Sequence, residues 1–206
     1  MALTKTHIER VLREAKVPAA RAARYSVFLS DACARGQINT PLRLGHFLCQ
    51  LLHESMNLYY AEEVWGPTAA QRRYEGRRDL GNPVAGDGYR FRGRGPIQCT
   101  GRANYTAFNR WLKTIGLTVD VVANPDLVGT PMYGTLAAVW FWSVGNSTGR
   151  SLNVLADRGD DLDEIQAITR VINGGFNGLD DRITRFVTVM PAIRSLDTFK
   201  GDSLPL

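Results

Sequence analysis

Leu44, Phe47, Leu48, Leu51 and Leu52 stand at i, i+3, i+4, i+7 and i+8. Such spacing collects five apolar side chains on one stripe of an α-helix, whereas a strand would scatter them over both faces. A helix with this stripe must bury it against partners of the same period, and the chain supplies them. Thr6 with Glu9 three residues on has the form of a capping box ahead of Ile8, Val11 and Leu12. A second helix is predicted from near Pro18 to Gly36, and the striped one from Pro41 into the triplet HES at 53–55. Further stripes run through Tyr105, Phe108, Leu112 and Ile115, then Met132 to Val144, then Leu162, Ile165, Ile168 and Ile172, and last Ile183, Phe186, Val187 and Met190. The polar tail beyond is expected to be weakly ordered. A length of 206 residues without repeats suits a single domain, 1–206.

Residues 66–101 break the pattern. They are rich in glycine and arginine, and only YRFRG and IQCT read as short strands. An irregular segment of this length inside a compact domain is usually either an active-site wall or disordered, and its aromatic residues argue for the wall.

No window approaches the ~20 apolar residues of a membrane span, and the charges spread through MALTKTHIERVLREAKV do not form a secretory signal. Cys33, Cys49 and Cys99 have no CxxC spacing and read as buried free thiols of a reducing cytoplasm. HESMN lacks the second histidine of a zinc motif, so no metal or other cofactor is expected. GDGYRFRGRGPIQ fits neither nucleotide-binding glycine pattern, and DRGDDLDE at 157–164 fails calcium spacing and reads as acids at a helix N-terminus. Arg90, Arg92 and Arg94 alternate, as they would to meet a polyanion or to hold loop carboxylates in place. The net charge of +5 and pI near 9.3 point to an anionic partner without choosing among nucleic acid, lipid head groups and cell wall.

Three carboxylates among apolar neighbours, in LLHESMNLYYAEEVW at 51–65, demand either cations or chemistry. Glu54 is expected at the edge of the buried stripe and at the negative end of its helix. Both circumstances favour a neutral carboxyl able to protonate a glycosidic oxygen. Glu62 and Glu63 lie among more polar residues, where a carboxylate stays ionised and serves as a base. From the residues alone a second reading stands beside this one, with Glu54 capping its helix or paired with an arginine, and Glu62 and Glu63 solvated.

Four segments in order then resemble glycoside hydrolase family 19, the chitinases and lysozyme-like phage endolysins. They are HES at 53–55, GDGYRFRGRGPIQCTGRANY at 86–105, VINGG at 171–175 and NGLDDR at 177–182. The resemblance implies a mainly α, lysozyme-like bilobal fold with a saccharide cleft and an irregular central segment. It implies Glu54 as general acid and Glu63, nine residues on, as general base, with Glu62 as competitor; plant members place the second glutamate after an insertion this chain lacks. By the same resemblance Thr100 helps to hold the attacking water. Gln98, Asn104 and Tyr105 line sugar subsites, Asn173 contacts an acetamido sugar, and Arg182 faces the acidic centre. Met56 and Asn57 depart from the family's glycine-rich continuation after HES, and Cys99 from its usual aliphatic residue.

The family's substrates are chitin and peptidoglycan. A basic chain with the GDGYRFRGRG form and without a signal peptide or chitin-binding module is expected to attack peptidoglycan, as a monomeric endolysin held in the host cytoplasm and released to the periplasmic wall. It is expected neither to bind nucleic acid nor to insert stably into the membrane. A bacterial chitinase and a non-catalytic wall binder are the alternatives. Carboxyl groups roughly 6.5–9.5 Å apart, and hence inversion at the anomeric carbon, are expected for this pair.

Overall fold

A computed structural model describes residues 2–199 of the chain. Ten α-helices are seen among the described residues, with β-structure limited to isolated bridges. Thr40 caps the striped helix α3 (Pro41–Glu54) by accepting from Arg43 N at 3.2 Å, and Pro41 supplies the preset first turn. Its stripe is buried as expected, Leu44, Phe47, Leu48, Leu51 and Leu52 all being inside the core. The helices α1 (Lys5–Glu14) and α2 (Ala19–Arg35) pack on each other, and α2 also packs on α7 (Pro131–Trp140). The long partner of α3 is α10 (Leu179–Arg194), whose Phe186 ring lies 4.5 Å from the His46 ring.

Several local expectations need correction. The first helix is capped by Thr4, whose hydroxyl accepts from His7 N at 3.3 Å while His7 Nδ1 receives Thr4 N. Histidine here fills the position that a capping box normally gives to Glu or Gln, so Thr6 and Glu9 are not the box. The Met132–Val144 stripe is α7 continued by a π-helical turn, Phe141–Gly145. Val187 is 65% exposed; Val189 and Ile193 occupy the buried row of α10 in its place. The tail is not loose at its start, since Leu196 and Phe199 are buried around a 3-10 turn at Asp197–Phe199, while residues 200–206 lie outside the described ones. A short helix absent from the sequence reading, α8 (Asn153–Ala156), is fixed by Asn153, which accepts from the Trp142 indole at 2.8 Å and donates to Gly36 O at 2.9 Å.

The irregular segment is knit by side chain to backbone bonds. It contains the single turns α4 (Ala69–Arg72) and α5 (Asp87–Arg90), so Tyr89 and Arg90 of YRFRG are helical. Asn82 donates to Tyr74 O and accepts from Arg102 N, at the start of α6 (Arg102–Thr114). Asp87 accepts from Arg102 Nε at 2.8 Å. Only two isolated bridges are strand-like here, Glu62 with Arg94 and Arg94 with Cys99. Among the acids at 157–164, Asp157 pairs with Arg43 and Asp160 with Arg194, and Asp163 and Glu164 stand in the first turn of α9 (Leu162–Asn173).

Candidate active site

Glu54 is the last residue of α3, and the row His46, Gln50, Glu54 recurs every fourth residue along the face turned to α10. A polar row in a helix interface must be satisfied there. Arg182, with no exposed surface, does this: its Nη1 donates to Gln50 Oε1 and its Nη2 to Glu54 Oε1, the latter at 2.5 Å. Gln50 passes the chain on to Thr169 Oγ1 at 3.0 Å. Glu54 therefore stands at the edge of the buried stripe, its side chain 23% exposed, in the arginine pair that the second sequence reading held open.

Beside it, His53 Nδ1 lies 2.6 Å from Asp181 Oδ2, and Asp181 also accepts from Arg185 Nε. Burial pushes the Asp181 carboxyl up, but the bonds from Arg185 and His53 outweigh it and leave the group below the usual carboxylate range. The close approach needs glycine at 178: φ is +72°, and a Cβ there would come within 2.1 Å of the His53 ring.

The facing wall is extended chain. Residues 61–63 run beside 93–95 through Glu63 N to Gly93 O and Gly95 N to Ala61 O, both 2.8 Å, and 94 pairs with 99. Adjacent side chains leave such a segment in different directions, and the two glutamates, though both line the cleft, take different partners. Glu62 is in an ion pair with Arg92, and Arg94 Nη2 donates to Asp126 Oδ1 at 2.6 Å. Two of the alternating arginines, Arg92 and Arg94, thus hold loop carboxylates, while Arg90 donates to the carbonyls of Val122 and Ala123. Glu63 meets only neutral donors: Gln71 Nε2 at 2.9 Å and Tyr74 Oη at 3.3 Å on Oε1, and Gly93 N at 3.2 Å on Oε2. Burial and the Glu63 carboxylate together push the Tyr74 phenol above its usual range. Gly93 also touches the two remaining members of this wall, since a Cβ on it would come 2.4 Å from Gln98 Oε1 and 3.2 Å from Thr100 Oγ1.

The walls enclose a cleft of about 260 Å³ lined by Glu54, Tyr60, Glu62, Glu63, Val64 and Gln98. Three carboxylates face a common space: Glu54 and Glu62 are each bound to a guanidinium, and Glu63 alone is held by neutral groups. This arrangement meets the requirements of acid and base attack on a glycosidic bond.

The family model described as chitinase class I, glycoside hydrolase family 19, matches residues 47–185. The chain belongs to glycoside hydrolase family 19. A glycosyl hydrolase family 19 domain-containing protein of Haemophilus influenzae is 37% identical over 121 residues, covering 59% of this chain and 52% of that protein. An endochitinase of Solanum tuberosum is 33% identical over 173 residues, covering 72% and 50%. The chain spans about half the length of these relatives. The family's helical fold is shared with chitinase C of Streptomyces griseus HUT6037, at a TM-score of 0.66, 23% identity and coverage of 92% and 91%. It is shared also with another bacterial family 19 chitinase, at 0.68, 19%, 97% and 98%.

Within this family 19 domain the expected site residues divide. Glu54, Glu63 and Gln98 line the cleft, and Thr100 stands beside Gly93 on its wall. Asn104 and Asn173 are exposed, Asn104 donating to Thr100 O at 2.8 Å. Tyr105 is not a sugar contact, because it has no exposed surface. Its phenol donates to Arg92 O at 3.0 Å and accepts from Arg94 at 3.1 Å, so it braces the wall from behind. Arg182 is likewise a support for Glu54, sealed from any ligand. Gln71, Tyr74 and Tyr60 were missed. A capping box at Thr68 to Gln71 was the one sequence signal pointing to Gln71.

Proposed function

We propose that this family 19 chain is an inverting glycosidase acting on β-1,4-linked polymers that contain N-acetylglucosamine, with peptidoglycan as its substrate. The reading rests on one observation, the placing of Glu54 and Glu63 on a single cleft with different partners. Arg182 occupies Glu54 Oε1, which leaves Oε2 to carry the proton to the leaving oxygen; the carboxylate then formed is met at once by the guanidinium. Glu63 Oε2 has one backbone donor and keeps a lone pair for a water. Thr100 Oγ1 spends its proton on Gln98 O at 2.9 Å, so it is free to accept from the same water and aim it. Removal of the water's proton by Glu63 during attack on the anomeric carbon, with protonation by Glu54 on the opposite side, turns a β-linkage into an α-product in one displacement.

Peptidoglycan is favoured by the net charge of +5 and by the exposed Arg72, Arg73 and Arg78 on the segment around α4, which suit an anionic wall. The setting that goes with it is a monomeric endolysin held in the host cytoplasm and acting on the wall from the periplasm. Chitin is the second reading, favoured by the names of the endochitinase relatives. Zymography on purified peptidoglycan and on chitin separates the two, and proton NMR of the first product tests inversion. Lysis of peptidoglycan with an initial α-anomer is expected; an initial β-anomer overturns the mechanism, and turnover of chitin alone overturns the substrate.

A further inference from the structure

The helix α4 has four residues, far too few to be stable by itself. Its structure centres on Gln71, 5% exposed, whose amide is used at both ends. Gln71 Oε1 accepts from Thr68 N at 2.7 Å and Gly66 N at 3.2 Å. These two amides leave only one orientation for the side chain, since a flipped NH₂ would face two N–H groups. Nε2 must then point the other way, and there it donates to Glu63 Oε1 and Val64 O, each at 2.9 Å.

We infer that Gln71 is a positioning residue for the reaction, a neutral clamp that fixes the rotamer of Glu63 without cancelling its charge. This rests on the assignment of Glu63 as base. The contrast with Glu62 carries the inference further: the acid bound to Arg92 is neutralised as a wall element, whereas the acid bound by an amide and a phenol stays available to take a proton. The charged groups of this wall are paired among themselves, Glu62 with Arg92 and Arg94, and Arg94 also with Asp126, so the neutral donors to Glu63 are the variable that sets its behaviour.

Gln71→Glu is the decisive variant. Glutamate keeps the acceptor that the Gly66 and Thr68 amides need, and it is the usual third residue of a capping box, so the fold of the segment is retained. It removes the donor to Glu63 and sets a carboxylate against it. On whichever polymer is turned over faster, kcat is expected to fall about 10-fold or more with KM changed little. The limb of the pH–rate profile governed by the base should move about one unit upward, because the ionised form has lost a donor and gained a like charge. Tyr74→Phe, which loses the longer bond, should show the same shift at smaller size. Glu63→Gln is measured in the same series. If it stays active, the functional reading falls and the inference with it; if it is inactive while Gln71→Glu keeps the wild-type kcat and pH limb, the inference alone is overturned.

Discussion

Arg182 reaches Glu54 across 128 positions of sequence and donates to its Oε1 at 2.5 Å from a guanidinium that solvent does not touch. Breaking a buried pair by removing one partner leaves the other charge stranded. Arg182→Ala should therefore destabilise the fold by about 3–5 kcal/mol, since Gln50 loses its partner as well. Glu54→Gln should cost less stability than Arg182→Ala, because an amide still accepts from Arg182 although it no longer balances its charge, yet it should lower kcat by roughly 10²–10⁴-fold for want of the proton. Urea unfolding and turnover measured on both variants check the split; a stable Arg182→Ala protein would show that the pair does not organise the helix interface.

Glu62 and Glu63 are adjacent in the chain and unlike in their partners. Glu63→Gln should abolish most turnover, whereas Glu62→Gln, which weakens the pairs with Arg92 and Arg94, should cost less than about 10-fold in kcat/KM. Steady-state kinetics on the two variants decide it, and the reverse order would make Glu62 the base.

Met56, Asn57 and Leu58 follow one another in the left-handed region, at φ of 48°, 59° and 61°, and the first two are the residues that depart from the glycine-rich continuation implied by the resemblance. A non-glycine residue in this region costs roughly 1–2 kcal/mol. The turn is held by Arg21, which donates to Asn57 O at 3.1 Å, by Arg185 on the Asn57 side chain, and by burial of Leu58. Met56 is 61% exposed, so Met56→Gly relieves strain at little loss of packing and should raise stability by about 0.5–1 kcal/mol. Leu58→Gly removes a core side chain and should lower it by at least about 2 kcal/mol. Thermal melts of the two variants should move in opposite directions.

Asp87 gives the fold an acid-sensitive joint. The Arg102 guanidinium is the main cause holding its carboxyl below the usual range, and the Val84 amide assists against the opposing effect of burial. A depressed folded-state pKa contributes stability above the unfolded carboxylate value of about 3.9, and loses it as pH falls through the folded value. Melting temperature of the wild type should therefore decline on acidification below about pH 4, and Asp87→Asn should melt lower at pH 7 with a flatter acid decline. Parallel slopes for the two proteins would remove Asp87 from the acid response.

The long helices were legible because their signal is local. Leu44 to Leu52 make a stripe only if the backbone turns every 3.6 residues, and the same holds for Ile165 with Ile168 and for Phe186 with Met190. The order of HES and GRGPIQ likewise marked two segments whose Glu54 and Gln98 line the cleft, and the spacing of nine singled out Glu63, which lines it too. The cap of α1 was misread because a histidine performs a task that pattern rules give to Glu or Gln, and the turn of α4 was missed although Thr68 and Gln71 have the capping-box form.

Sequence alone thus determined which segments are helical, which acids are candidates and which family the motifs resemble, because periodicity and motif spacing depend on near neighbours. Tertiary structure decided that Glu54 meets Arg182, that Glu62 is tied to Arg92 while Glu63 is held by Gln71, and that Tyr105 is sealed behind the wall. Arg182 counts as polar in any hydropathy pattern, yet it lies on the buried row of α10 with Phe186 and Val189. Only the packing of α10 on α3 brings a guanidinium beside Gln50 and Glu54, where burial is offset by the bonds it makes. Partners of that kind follow from contacts between distant segments, which the spacing of residues within one helix does not encode.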